Sequence, residues 1–454
     1  MTCEAKVHPD LTSVAPKLPY TARKAAMPSP STPAVREPSA TPARDVPTAS
    51  GRARRTDEWR AAVQRSGGAA LVSLRAAKWA VGGYLAARAV NLLVFALMAL
   101  SSGKPFWSQV GAWDGEWFRD IADFGYVEKI PVSPTGRPYW VNVEFFPGYP
   151  YAVRFISTIT GLNSLNAGMV VTLLSGAVAA WGLYALGRQL TGSHRTGTLF
   201  AVLWGVGPGA MVLSMVYSEA LFMAFAAWAL YALVKKHWMT AGVLAVFAGL
   251  TRNTGYALVA AIGVAALFVV LEKRPGGSRT GLFAPEARRP VLATLIAPIG
   301  CVGFLAWVGW MADRIDAWFW IQDKAFNLRF DFGVSTVQWM AKSLTQLGRP
   351  VYLMSTFIII ASVVLMIWSF RDRRVPLSVH TYTFAVMVLA LTSSNGWFFQ
   401  SKPRFMLPAV TLVLPLAVLM SKWPKALQVT ALAAAAAFGG WYTGYLVYVI
   451  NTNP

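Results

Sequence analysis

KWAVGGYLAARAVNLLVFALMALSS, Lys78–Ser102, is the stretch on which the fold turns. Wound as an α-helix it rises about 1.5 Å per residue, so roughly residues 78–101 cross the ~30 Å apolar core of a bilayer. Arg88 and Asn91 sit deep inside it. A charge at that depth is costly, so both are expected to hydrogen-bond to neighbouring helices. Similar apolar runs recur at roughly 167–189, 196–215, 217–234, 239–251, 254–272, 290–312, 350–370, 377–394, 404–421 and 425–449. With the first run they make about eleven spans, the pattern of an all-α polytopic membrane protein. The composition agrees: 454 residues, 55% hydrophobic, 13% charged, with 19 Trp.

Upstream of the first span the chain changes character. Residues 1–75 are rich in Pro, Ala, Ser, Thr and Arg, as in PSPSTPAVREPSATPARDVPTASGRARR, and contain no apolar segment of the signal-peptide kind. Such a composition cannot bury a core, so a disordered basic cytoplasmic tail is expected there, with residues 76–454 forming the membrane domain. The formal net charge of +21 would suggest nucleic acid in a soluble protein. Here the basic residues fall between the apolar runs, which excludes nucleic acid as the natural partner and points to the bilayer itself.

With the tail inside, every connection on the cytoplasmic side is basic. These are Arg188 with Arg195, Lys235–Lys236, the segment EKRPGGSRTGLFAPEARRP, Arg371–Arg374 and SKWPK. The positive-inside rule is therefore obeyed along the chain. The same assignment places two long loops outside, roughly 102–166 and 313–349, and short turns at VYSEA, LTRNTG and SSNGWFFQSKPRF. The Ala-, Arg- and Trp-rich usage suggests a GC-rich genome, hence a bacterial cell membrane; in a eukaryote the endoplasmic reticulum would be implied.

The first outer loop contains GAWDGEWFRDIADFGY, Gly111–Tyr126, with four acidic residues. At about 100° per residue, Trp113, Trp117, Phe118, Ile121, Ala122 and Phe124 share one arc. Glu116, Arg119, Asp120 and Asp123 lie opposite, as a solvated face would. Asp114 falls within the apolar arc. It reads either as a helix N-cap, for which Asp is favoured, or as a carboxylate with a chemical task. Glu144, Glu219, Arg252, Asn253, Lys402 and Arg404 are assigned to the same outer face. Charges at span ends are costly unless they face a cavity or one another, so their gathering suggests one site.

An isolated carboxylate with cations at a membrane face suits glycosyl transfer from a lipid-linked phosphosugar. The acceptor hydroxyl must lose a proton, which a carboxylate takes. The leaving polyprenyl phosphate is anionic, which Arg or Lys meets. Asp114 is the candidate base, and Arg252, Lys402 and Arg404 are the candidate phosphate ligands. Glu219 either orients substrate or pairs with Arg252. Trp113, Glu116, Asp120 and Asn253 are candidate substrate contacts. Glu144, in VNVEFFPGYP, is a further candidate contact or part of an interfacial aromatic anchor. Two cysteines, Cys3 and Cys301, and four scattered histidines offer no metal site. No metal or cofactor is expected; the lipid-linked sugar is the substrate.

WDGEWFRDIADFGY, VEFFPGYP, LSMVYSEALF, LTRNTG and QSKPRFMLP, in that order, resemble the signatures of PIG-V-type mannosyltransferases of the GT-C superfamily. The resemblance covers roughly residues 78–450. It implies a GT-C-like bundle with a large first extracytoplasmic loop containing interfacial helices. It also implies a polyprenyl-phosphate mannose donor, inversion at the anomeric carbon, and Asp114 as the catalytic residue. A glycolipid or protein would be the acceptor. The basic tail lies outside that pattern, and Glu116 departs from it. Two other functions fit a polytopic chain. A lipid or sugar transporter would concentrate polar residues near the bilayer midplane, and a non-catalytic scaffold would tolerate loss of Asp114.

Overall fold

A computed structural model of the protein describes Gly68 and residues 71–272, 281–346, 349–392 and 396–454. The expectation for the tail, residues 1–75, lies outside the described residues except at Gly68 and 71–75, which are helical. The basic segment after residue 272 is likewise described only from residue 281.

The principal helices run in chain order: α1 Lys78–Ser102, α2 Asp114–Phe124, α3 Gly148–Thr160, α4 Ser164–Thr191, α5 His194–Val206, α6 Glu219–Val234, α7 Trp238–Thr251, α8 Tyr256–Leu271, α9 Pro285–Ile296 and α10 Ile299–Met311. They continue with α11 Ala317–Lys324, α12 Val334–Thr345, α13 Pro350–Phe370, α14 Leu377–Thr392, α15 Lys402–Met406, α16 Leu414–Met420 and α17 Lys425–Gly444. No strand is formed among the described residues, and the all-α expectation holds. The protein is an integral membrane protein.

Among the described residues six helices are long and apolar enough to cross a membrane, or seven if one bent pair counts as a span. Three shorter apolar helices, α6, α7 and α14, accompany them. About eleven spans were expected, and for two of the runs the difference has a local cause. The run 196–215 stops as a helix at Val206, because Gly207-Pro208-Gly209 follows. Proline lacks the amide that would continue the helix, and Gly209 takes φ +77°, where a side chain is strained. The chain continues through the 3-10 turn Ala210–Ser214 and only then enters α6. The run 404–421 is bent by 80° between Phe399–Met406 and Val410–Met420, with Pro408 in the break. These interruptions put irregular backbone where the candidate residues lie, which a membrane tolerates only in protein-lined surroundings.

α6 is the centre of the bundle. Its sequence, EALFMAFAAWALYALV, buries Ala220, Ala224, Ala226, Ala227 and Ala229 together with Phe222, Met223 and Leu230. Small residues let α4 and α7 approach it closely, the usual basis of helix association in lipid. α1 threads the same core, where Tyr84 stacks on Trp204 at 5.5 Å. Arg88 donates to the Ala210 carbonyl and Asn91 to the Ala436 carbonyl, so both act as interhelical links, as the sequence led one to expect.

The connection after α1, expected on the outer face, contains α2 and α3. α2 buries Phe118, Ile121 and Ala122, while Phe124, expected on the buried arc, is 80% exposed at the last turn. Arg154 of α3 donates Nε to the Ala122 carbonyl at 2.6 Å, and Ser164 at the start of α4 donates to Asp123 at 2.8 Å. α3 exposes Tyr151, Phe155 and Ile159 at four-residue intervals, an apolar stripe suited to the bilayer interface.

Candidate functional site

The site is assembled from chain segments that end or bend at the same level. α2 begins at Asp114, preceded by Trp113 at φ +62°, ψ −122°. A bulky residue rarely occupies that region, and such strain is kept where the surroundings over-determine it. Its effect is to turn the chain sharply, so that Asp114 leads the helix. The carboxylate does not act as a cap. Its Oδ2 accepts from Arg404 Nη2, and its Oδ1 accepts from Asn453 Nδ2 at 3.0 Å.

Arg404 is 2% exposed and is the hub. Its Nε donates to Glu219 Oε1, and its Nη1 donates to Asn453 Oδ1 at 3.2 Å and to the Pro454 carbonyl at 3.4 Å. Its guanidinium lies over the Tyr217 ring, 4.4 Å from the centroid. Tyr217 in turn donates to the Ala112 carbonyl at 3.4 Å, which ties the ring to the turn before Asp114. Gly209 is packed against this segment: a Cβ there would be 3.0 Å from the Arg404 amide nitrogen.

Glu219 is the first residue of α6 and is fully buried. The same Oε1 that receives Arg404 also pairs with Arg252 Nη1 at 2.8 Å. Arg252 follows the last residue of α7 and also donates to Ser218 Oγ at 2.9 Å. Gly148 brings the VEFFPGYP turn onto this point, since a Cβ there would meet Thr251 Oγ1 at 2.6 Å and the Leu250 carbonyl oxygen at 2.9 Å. Two guanidinium groups and two carboxylates thus share one cluster, formally neutral. Each charge of the cluster has an opposite charge beside it, as a buried ion pair requires.

Glu144 lies beside this cluster, on the 3-10 turn Asn142–Glu144. Burial, first, and the neighbouring Asp114 charge, second, hold its carboxyl well above the usual carboxylate range, opposed by a hydrogen bond with Gln322. A carboxyl whose charged form is disfavoured is therefore placed next to Asp114. The Glu144 backbone carbonyl accepts from Trp318 Nε1 of α11 at 3.2 Å, so α11 packs onto the segment that carries Glu144.

Residues 144–284 match the family of dolichyl-phosphate-mannose-protein mannosyltransferases. GPI alpha-1,6-mannosyltransferase 2 of Mus musculus is 30% identical over 152 residues, 32% of this chain and 29% of that protein. The Homo sapiens protein of the same name is 29% identical over the same length. The chain thus spans less than a third of the length of the relatives it matches. Within that stretch the PIG-V-type resemblance read from the motifs is borne out. Among solved structures, ArnT from Cupriavidus metallidurans bound to undecaprenyl phosphate aligns with TM-score 0.45 and 12% identity, over 82% of this chain and 77% of that one. An oligosaccharyltransferase of Archaeoglobus fulgidus, tethered to an acceptor peptide, aligns with TM-score 0.42 and 14% identity, over 82% and 56%. The family match contains Glu144, Gly148, Glu219, Arg252 and Asn253; Asp114, Lys402 and Arg404 fall outside it.

The remaining candidates separate from the cluster. Lys402 is two residues from Arg404 on one helix, about 200° around it, and so faces away. Its Nζ donates to the Ala390 carbonyl of α14 at 2.9 Å. It also acts on Asp331, whose carboxyl is held below its usual range: burial opposes this, and hydrogen bonds from Ser335 and Gly333 and the Lys402 charge outweigh it. Glu116 and Asp120 are exposed, and Asp120 accepts from Asn142 Nδ2 at 3.3 Å, linking the two halves of the outer loop. Asn253 is exposed at the start of the 3-10 turn Asn253–Gly255. Trp113 packs against the apolar cluster that contains Phe95, Val110 and Tyr217, and Trp117 stacks on Phe145 at 5.8 Å.

Sequence reasoning did not find Tyr217, Ser218 or Asn453. Tyr217 and Ser218 stand in the quoted VYSEA turn and could have been read from their adjacency to Glu219. Asn453 carries no local signal, since a polar residue after an apolar run looks like any chain end. Among the described residues no group of three or more His, Cys, Asp or Glu could hold a metal ion.

Proposed function

We propose that the protein transfers a hexose, mannose by its relatives' names, from a polyprenyl-phosphate sugar to a hydroxyl of a glycolipid or protein at the extracytoplasmic face. We place it in a bacterial cell membrane. The observation that carries the reading is the Asp114–Arg404–Glu219–Arg252 cluster, buried yet open on the Asp114 side, whose carboxylate keeps 18% exposure.

The reaction balances around that cluster. The acceptor oxygen forms a bond to the anomeric carbon as the bond from that carbon to the phosphate oxygen breaks with its electron pair. The acceptor proton passes to Asp114. The phosphate gains one negative charge as Asp114 loses one. Arg404, which faces Asp114 beforehand, is thereby released to oppose the charge growing on the leaving group. Glu219 holds both guanidinium groups on one oxygen and so keeps them spaced when the phosphate arrives. Attack from the side opposite the phosphate gives inversion. The phosphate charge is met by guanidinium groups, so we assign no metal or organic cofactor. Glu144, whose protonated form burial favours, can in that form donate a hydrogen bond to a sugar or phosphate oxygen without adding negative charge. Lys402 is assigned to the scaffold and not to the phosphate.

Transfer of labelled sugar from polyprenyl-phosphate mannose by reconstituted protein tests this, with membrane extract as acceptor. Replacing a general base, Asp114→Asn, is expected to cost roughly 10²–10⁴-fold. Equal transfer by a folded Asp114→Asn protein would overturn the assignment of the base. Absence of transfer from any polyprenyl-phosphate sugar would favour a transporter or scaffold.

A further inference from the structure

The segment that follows the π-helical turn Tyr445–Ile450 comes back into the site. Asn451, at φ +57°, reverses the chain, and its side chain accepts from Lys104 Nζ at 3.0 Å. The Thr452 amide donates to the Leu446 carbonyl at 3.0 Å, and Gln400 Nε2 donates to Thr452 Oγ1 at 2.9 Å. Ser401 Oγ donates to the Asn453 carbonyl at 2.9 Å. Gln400, Ser401 and Arg404 belong to one short stretch, so the segment is fastened to the same piece of chain that carries the hub of the cluster.

We infer that Asn453 is a positioning residue of the site: its carboxamide bridges Asp114 and Arg404 and fixes the rotation of the Asp114 carboxylate. The inference rests on the transferase reading given above. The amide has only one workable orientation. Its NH₂ faces a carboxylate that only accepts, and its oxygen faces a guanidinium that only donates. Turned over, both contacts would be repulsive. Asp114 Oδ2 is taken by Arg404 and one lone pair of Oδ1 by Asn453, which leaves the carboxylate clamped about its own bond with its remaining lone pairs toward the open side. A base held in this way needs no reorientation as the acceptor arrives. A plug that had to leave before substrate entered would not be tied on both flanks to Gln400, Ser401 and Lys104.

The test is kcat for sugar transfer across pH, with KM for the donor, in wild type, Asn453→Ala, Asn453→Asp and Asn453→Gln, each shown to be monodisperse and folded. The charged or titratable groups that face Asp114 are Arg404, Arg252, Glu219, Glu144 and Tyr217. These stay the same in all four proteins. Asn453→Ala removes a hydrogen bond that favours the charged form of the base, so the acid limb of the kcat profile moves to higher pH. Its kcat falls about tenfold, with KM for the donor little changed. Asn453→Asp moves the limb further, because a second carboxylate then lies against Asp114, and Asn453→Gln recovers part of the loss. A folded Asn453→Ala protein with wild-type kcat and an unmoved limb would overturn the role while leaving the transferase reading intact. A rise in kcat would overturn it in favour of a plug. No transfer by the wild type would overturn the reading and the role together.

Discussion

Replacing Arg404 by Met removes the charge between Asp114 and Glu219 while keeping an apolar stem of similar length over Tyr217. Arg404 is 2% exposed, and taking one partner from a buried ion pair costs about 3–5 kcal/mol. Neither carboxylate is stranded completely. Glu219 keeps Arg252 at 2.8 Å, and Asp114 keeps Asn453 at 3.0 Å. The loss is therefore expected at the lower end, about 3 kcal/mol, or roughly 10²-fold in the folding constant. Adding Asp114→Asn restores neutrality with the Glu219–Arg252 pair intact, so the double variant should regain about 1 kcal/mol. Unfolding in mixed micelles against a denaturing detergent, at fixed pH and salt, reads both quantities. Arg404→Met within about 0.5 kcal/mol of wild type, the range of ordinary surface changes, would refute the hub. So would a double variant whose losses simply add.

Other outcomes follow from the same geometry. Arg404→Lys keeps the charge but not the fork that reaches Asp114, Glu219 and Asn453 at once, and is expected to lose about 10²-fold in transfer. Lys402→Met, compared as folded protein in the same assay, should retain most of it. Glu144 has a raised pKa in the folded state, so its contribution to stability is complete at low pH and is lost as pH rises from the ordinary carboxylate range through the raised value. Thermal unfolding followed against pH should therefore decline across that window in wild type and stay flatter in Glu144→Gln; parallel curves would contradict the burial of that carboxyl. Gly148→Ala forces the VEFFPGYP turn off Thr251 and should cost about 1–3 kcal/mol in the unfolding assay, with reduced transfer. Gly209→Ala adds the strain of a left-handed residue, about 1–2 kcal/mol, to a contact at Arg404.

Much of this architecture was legible in the residues. The apolar runs and the basic connections between them identify a polytopic chain because bilayer thickness and charge asymmetry act on every span alike. Arg88 and Asn91 were readable as interhelical links for the same reason: a polar group in lipid must find a partner. Asp114 stood out because it interrupts the apolar arc of its own helix. The pairing of Glu219 with Arg252 was one of two readings open for that carboxylate, and the structure adds Arg404 on the same oxygen. What could not be read depends on contacts between distant segments. Lys402 and Arg404 look equivalent in QSKPRFMLP, and only the helical turn around Pro403 sends one to the cluster and the other to Ala390. The capping reading of Asp114 fails because Trp113, in an unusual backbone conformation, occupies the position before the helix. The expected span at 196–215 missed its break, although Gly207-Pro208-Gly209 was in plain view, because hydropathy averages over such interruptions. Asn453 is reached only by a chain reversal that begins at Asn451, to which no periodicity points.

The central claim is that a lipid-linked phosphosugar reacts at the Asp114–Arg404–Glu219–Arg252 cluster. A structure of the reconstituted Asp114→Asn protein with polyprenyl-phosphate mannose, which slows turnover and keeps the donor in place, tests it most directly. The account predicts the phosphate within hydrogen-bond reach of Arg404 or Arg252, with the anomeric carbon on the open side of residue 114. A phosphate seated elsewhere, such as among Arg371, Arg373 and Lys422 at the opposite, basic end of the helices, would contradict it.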